Sequence, residues 1–382
     1  MKDISIYFSP VSHKGDWNEF QLGSIIEGNT NSFPAIQKYS IAIFYIPEFR
    51  GSKMMNVHSD SSHFRNCFYG LNKGRNWGKK IYDLGDILPG NEFKDSELAL
   101  KEVIFELVKN KVLPIVIGGS QDLVYSIYLG YEKLEQLVNI CSVDHSLDLG
   151  DPGKDLEEQG YMGKILFRRP CFVFNHSNIG LQIPYTNERE IGLFEKLFFD
   201  ICRLGEFNTD FRLAEPHLRN ADIVNIDFNA IKASETCDVM GLPNGFYAEQ
   251  ICQISKYAGN SDKLTCFSIF NYQNFSLLGD ELIAQILWYF IDGVEARVGD
   301  FPLGKKSDYT KFTVVLDAKG SHEIVFFKSN KSARWWMEVP YPPKEGSRYE
   351  RHYLVPCDKF DYENAINNEM PDLWWKTFQK LS

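Results

Sequence analysis

Three runs of this chain end an apolar stretch in residues able to hold a cation or move a proton. They are Val116-Ile117-Gly118-Gly119-Ser120-Gln121-Asp122, Ser142-Val143-Asp144-His145-Ser146-Leu147-Asp148 and Val224-Asn225-Ile226-Asp227-Phe228-Asn229. Each opens with the β-branched and aliphatic residues of a buried parallel strand, then breaks into Gly, Ser, Asp or Asn where a strand would stop. In open α/β sheets, ligands gather beyond the carboxyl ends of the strands. Asp144, Asp148 and Asp227 are therefore expected to converge, and clustered carboxylates suit a hard cation such as Mg²⁺, Ca²⁺ or Mn²⁺. Taken singly, each run reads as ordinary turn chemistry. Gly tolerates positive φ, and an Asp after a strand often caps the next helix. The ordered trio carries the argument.

The order and content of the three runs resemble the ureohydrolase family of arginases, agmatinases and formiminoglutamases. The family pattern is Gly-Gly-x-His, then Asp-Ala-His-x-Asp, then Asp-x-Asp. The resemblance implies hydrolysis of guanidino or formimino groups by a hydroxide that bridges two manganese ions. On this chain Gln121 stands at the first His, Ser146 at the second, and Asn229 at the last Asp, while Asp144, Asp148 and Asp227 keep their carboxylates. One implied metal would meet Gln121, Asp144, Asp148 and Asp227. The other would meet Ser146 and Asn229 beside the shared acids, a poor set. The resemblance thus implies no metal or one hard divalent cation, with two manganese ions only in a rearranged site.

His145 lies one residue before the family's histidine. On a strand, a shift of one residue turns a side chain to the opposite face, which predicts His145 packed behind the strand against a helix. Only a bulge or a turn would bring it to the acids. Further along, Cys266-Phe267-Ser268-Ile269-Phe270-Asn271-Tyr272-Gln273-Asn274 corresponds to the family's segment with a substrate-facing Glu, and Asn271 stands at about that position. No catalytic residue is assigned with it.

Other segments extend the resemblance from about residue 40 to about residue 297. They include Ile81-Tyr82-Asp83-Leu84-Gly85-Asp86-Ile87, the helix-like stretch from Ser59 to Leu71 with Arg65, Asn178-Ile179-Gly180-Leu181-Gln182 and Asn244-Gly245-Phe246. The nearest pattern is that of formiminoglutamase-like proteins with a C-terminal extension. Lost imidazoles and a lost acid favour a catalytically inactive or impaired protein that binds a partner or small ligand. The alternative is an active metal-dependent hydrolase of linear amidines, its site rebuilt with His145. A different hydrolysis at one hard cation held by the three acids is a third reading.

Composition sets the class. The chain has 382 residues, 44% hydrophobic and 24% charged, as in globular proteins. A formal charge of −10 argues against a nucleic-acid partner, which calls for a basic face. Basic pairs such as Arg168-Arg169 and Lys305-Lys306 are short and read as solvated surface. No apolar run reaches the roughly 18 residues of a transmembrane helix, and the N-terminus lacks a secretory signal. The eight cysteines are scattered without zinc or disulfide spacing, so a reduced, cytoplasmic protein is expected.

The elements that must position these residues alternate. Strands are predicted at Ile41–Ile46, Leu113–Ile117, Val138–Val143, Cys171–Phe174, Ile223–Phe228 and Leu264–Phe270. Helices are predicted at Asp95–Lys109, Leu123–Gln136, Phe246–Ala258 and Asp280–Val294. Such βαβ units predict an α/β fold with a mainly parallel sheet. The resemblance makes it an arginase-like three-layer αβα sandwich of about eight strands. We expect residues 1–300 to form that body and 301–382 a small β-rich and helical extension. The extension carries Trp335-Trp336 and Trp374-Trp375, read first as core and otherwise as a surface for a protein partner. Homo-oligomerisation is common in the family and is a further expectation.

Overall fold

Runs rich in Ile, Val and Phe become the central strands, buried on both faces, and shorter, partly exposed strands flank them. In chain order these are β1 (Phe8–Ser9), β2 (Ile26–Gly28), β3 (Ile41–Tyr45), β4 (Ile81–Ile87), β5 (Leu113–Ile117), β6 (Val138–Val143), β7 (Val173–Leu181), β8 (Asp200–Arg203), β9 (Ile223–Asp227) and β10 (Cys266–Phe270). They form one sheet in the order β1-β4-β3-β5-β10-β9-β6-β7-β8, and β2 also pairs with β4. All pairings are parallel except β1 with β4. This is a computed structural model, and it describes the chain apart from residues 12–14, 53–59, 152–158, 239–240, 274–275, 303–305, 317–321 and 342–351. Ser59, Asn274 and Lys305 of the sequence reading lie outside the described residues.

The helices are α1 (Ser62–Gly70), α2 (Phe93–Lys109), α3 (Val124–Glu132), α4 (Tyr161–Phe167), α5 (Glu188–Lys196), α6 (Leu204–Thr209), α7 (Ala214–Asn220), α8 (Ala233–Thr236), α9 (Ala248–Gly259) and α10 (Leu277–Glu295). Alternation along the strands divides the core in two. Ile41, Ile43 and Tyr45 of β3 join α1, α7, α9 and α10 on one face. Ala42 and Phe44 join α2, α3 and α4 on the other. The three-layer αβα sandwich expected from the sequence is the architecture found.

The short strands β1, β2 and β8 and most of β7 escape the sequence patterns. β7 starts at Val173 and continues to Leu181, well beyond the expected Phe174. Its middle is Asn175-His176-Ser177-Asn178, all buried and several hydrogen-bonded to side chains of neighbouring strands, so hydrophobicity gives no sign of it. β8 is short and half polar.

Past residue 300, β11 (Tyr309–Val315), β12 (Glu323–Ser329), β13 (Trp335–Pro340) and β14 (His352–Cys357) form a separate antiparallel sheet in that order. Two helices, α11 (Lys359–Ile366) and α12 (Asp372–Leu381), follow it. Trp335 stacks on Tyr362 of α11 at 4.9 Å, and Trp336 lies beneath the Arg219 guanidinium of α7, 4.6 Å from its ring centre. Both indoles are buried, so this pair is core; Trp375 of the second pair is half exposed. Arg219 also donates to the carbonyls of Trp335 and Cys357, both at 2.8 Å, and fastens the small sheet to the body. No helix among the described residues is long and apolar enough to cross a membrane.

Candidate metal centre at the strand ends

The sheet order explains why the three polar runs meet. β5 and β6 are consecutive in the chain, yet β10 and β9 lie between them, so the winding reverses there and opens a crevice. The four central strands also end level. Ile117 is opposite Ile269, Phe270 opposite Asp227, and Ile226 opposite Val143. At or just past those ends stand Gln121, Asn271, Asp227 and Asp144. Gly118 and Gly119 make the first turn at φ +85° and +74°, where a Cβ would strike the Tyr45 ring and the Glu48 carbonyl. That turn lets the Ser120 N–H reach the Glu48 carbonyl at 2.8 Å and carries Gln121 over the sheet end.

Around the acids, protein donors are dense. Gln121 Nε2 donates to Asp144 Oδ2. The Ser146 N–H donates to Asp144 Oδ1 at 2.9 Å, and Ser146 Oγ donates to Asp148 Oδ1 at 2.7 Å. Asp227 Oδ1 accepts from the Asn229 N–H at 3.0 Å and from Asn271 Nδ2 at 2.8 Å. Asn271 in turn accepts the Gln121 N–H at 3.1 Å, so its side chain bridges two of the runs rather than facing outward.

The expectation that His145 packs behind the strand is corrected. β6 ends at Val143, so Asp144 and His145 lie on a turn where strand alternation no longer applies. Its Nδ1 sits 3.3 Å from Asp144 Oδ1 and 3.4 Å from Asp227 Oδ2. Tyr185 braces the ring edge-on at 5.2 Å, and the Gln182 N–H holds the His145 carbonyl at 3.0 Å. Asp144, His145 and Asp227 each place a ligand atom within 4.8 Å of the others, the one such group among the described residues. Asp148 joins through Ser146 instead.

Electrostatics follow from burial and crowding. Burial opposes charge on His145, but Asp144 and Asp227 outweigh it and push the imidazole up to about 11. Burial and the neighbouring Asp144 charge raise Asp148 well above the usual carboxylate range. Burial pushes Asp144 up as well, yet His145 and the hydrogen bonds outweigh it and hold this carboxyl below its usual range.

A second layer was not foreseen. Tyr161, at the start of α4, has its hydroxyl 3.4 Å from Gln121 Nε2 and 3.2 Å from Ser142 Oγ. Ser142 also contacts His176 Nε2 at 3.0 Å and accepts from Asn225 Nδ2 at 2.9 Å. Ser142 and Asn225 stood inside the apolar runs as the polar exceptions, a signal the sequence did offer. Tyr161 and His176 carried none.

No family model and no curated protein sequence matches the chain. Solved structures do. Formimidoylglutamase from Bacillus subtilis superposes with a TM-score of 0.64 at 12% identity, over 76% of this chain and 97% of that one. Manganese-bound formiminoglutamase from Trypanosoma cruzi gives 0.61 at 16% identity, over 70% and 98%. The agmatine ureohydrolase of Thermoplasma volcanium gives 0.56 at 15%, over 68% and 91%. The fold is that of the ureohydrolases. Within the crevice, Ser146 gives its hydroxyl to Asp148, and Asn229 contributes its backbone N–H to Asp227. His145 Nδ1 and Asp148 Oδ2 are buried without an aligned hydrogen bond.

Proposed function

We propose that this chain is a ureohydrolase relative whose strand-end crevice has exchanged its two metals for a hydrogen-bonded cluster, and that it binds rather than hydrolyses. One observation carries the reading. Three of the four carboxylate oxygens of Asp144 and Asp227 accept hydrogen bonds from protein donors, and the fourth faces His145 Nδ1. A bridging hydroxide needs two cations to acidify water and hold it against a substrate. Here those directions are taken by Gln121, Ser146, Asn271 and His145. Gln182 spends its amide on Asn244, accepting from Nδ2 at 2.9 Å. The rim therefore offers neutral amides, suited to a polar ligand. All eight cysteines are free, which supports a reducing compartment such as the cytoplasm.

The reading is tested by elemental analysis after manganese loading and desalting. Wild-type protein should hold less than about one Mn per chain. The variant Gln121→His/His145→Ala/Ser146→His/Asn229→Asp restores the family's donors and should approach about two. Near two in the wild type, with hydrolysis of formiminoglutamate or agmatine, would overturn the proposal. A second reading, a hydrolase with one divalent cation, is favoured by the Asp144-His145-Asp227 triad. It predicts about one tightly held Mn that His145→Ala releases.

A further inference from the structure

The small C-terminal sheet meets the body along a second cleft, which shares no lining residue with the strand-end acids. It has a volume of about 800 Å³ and lies between the segment leading into α7, α7 itself, β12, β13 and the first turn of α11. That is the size of a small-molecule site, and joints between structural units are where such sites concentrate.

Its charges are not all answered from within. Arg219 and Arg334 form part of the wall and are engaged. Arg219 holds Glu215 and the two carbonyls of the small sheet, and Arg334 pairs with Glu215 and Asp300. Arg212 at the rim is paired with Asp210, on an exposed side chain where such pairs hold weakly. Lys328 differs from all of these. It projects from β12, is half buried, and among the described residues meets no carboxylate, only the Trp335 ring at 5.4 Å. A half-buried ammonium without an anion invites one.

The apolar lining is equally unsatisfied. Phe360, in the first turn of α11, is 64% exposed, and Leu213 is 37% exposed, although both border the cleft. Neither is needed by the core. A cation without a partner beside large apolar side chains left in water defines a ligand with one anionic group and one apolar body.

The geometry points to this cleft as a binding site for a small organic anion, its carboxylate or phosphate on Lys328 with Arg212 in reach of the rim, and its apolar body against Phe360 and Leu213. The site is independent of the strand-end crevice. Either anionic group satisfies Lys328, whose ammonium is a point charge without the planar preference of a guanidinium.

The test is calorimetric titration of the full chain with phenyl phosphate, benzoate, inorganic phosphate and benzyl alcohol. Phenyl phosphate or benzoate should bind saturably at one site per chain, and the tighter of the two identifies the anionic group. Lys328→Met keeps the packing over Trp335 and should weaken that probe about tenfold or more. Phe360→Ala, at an exposed position that cannot threaten folding, should weaken it several-fold. Asp144→Asn should leave it unchanged. Inorganic phosphate binding as tightly as phenyl phosphate would mean an adventitious ion only. Equal binding of benzyl alcohol would mean nonspecific apolar contact. Either result, absence of saturation by every probe, or unaltered binding in both variants would overturn the site.

Discussion

Arg65 and His145 each sit between two aspartates, both buried around His145 and one of them buried around Arg65. Arg65 projects from α1 and reaches Asp83 at 2.8 Å and Asp86 at 2.6 Å, with a further bond to the Gly85 carbonyl at 3.1 Å. Asp83 also accepts from the Tyr69 hydroxyl at 2.6 Å and the Gly85 N–H at 2.9 Å. A planar fork that is always charged thus fixes α1 to β4, and every direction is used. His145 offers one ring nitrogen to two carboxylates at 3.3 and 3.4 Å, with no aligned hydrogen bond, from a turn and not an element. Burying charge is costly in both places. Permanent geometry marks the first cluster as structure, and the loose occupant of the second marks it as a place where something can be exchanged.

The comparison predicts unequal costs. Arg65→Met leaves Asp83 buried and uncompensated, and should cost about 3–5 kcal/mol in urea unfolding. A loss below about 1 kcal/mol would show that the fork is dispensable. Asp144→Asn should cost less, about 1–2 kcal/mol, because the amide oxygen still accepts from Gln121 or Ser146 and Asp227 remains to face His145. If metal content and melting point instead fall together in that variant, the cluster holds a resident cation.

How far the sequence led differs between these regions in the same way. Two strands leading into the site, β5 and β6, begin and end at the predicted residues, since a mainly apolar run flanked by Gly, Ser or Asp has one reading. Gln121, Ser146 and Asn229 could be placed because the resemblance numbered them. His145 could not. Its direction depends on whether β6 ends before or after it, a matter of one residue, and strand ends are the least legible part of a sequence. Most of β7 is illegible because Asn175 and His176 find polar partners on neighbouring strands, Asp200 and Ser142, which no local pattern reveals. The cleft beside Lys328 is likewise a product of packing between segments more than a hundred residues apart.

A pH effect separates two histidines. His176 lies fully buried against Phe194 at 5.1 Å, and burial pushes its imidazole down to about 3. The unfolded chain takes up a proton as the pH falls through about 6.5, whereas the native ring does not until about 3. Stability should therefore fall with pH across that window, by about 1.4 kcal/mol per unit. In His176→Gln that part of the slope should vanish. His145 is pushed the other way, so His145→Ala should leave the acid slope in place. An acid slope unchanged in His176→Gln would mean that its ring is charged in the native protein.

The smallest expected effect is a control on distance. Lys80 and Glu27 approach to 2.5 Å, closer than Arg65 and Asp83, but their side chains are 53% and 47% exposed against 5% and 2%. Water already solvates both ions, and holding two long side chains in one geometry cancels most of the gain. Lys80→Ala should leave the unfolding midpoint within experimental error at ordinary salt. A clear drop would mean that contact distance ranks the ion pairs of this protein. No drop, beside a large loss in Arg65→Met, would mean that desolvation ranks them. It is desolvation that makes an exchangeable charge at the strand ends worth a binding site.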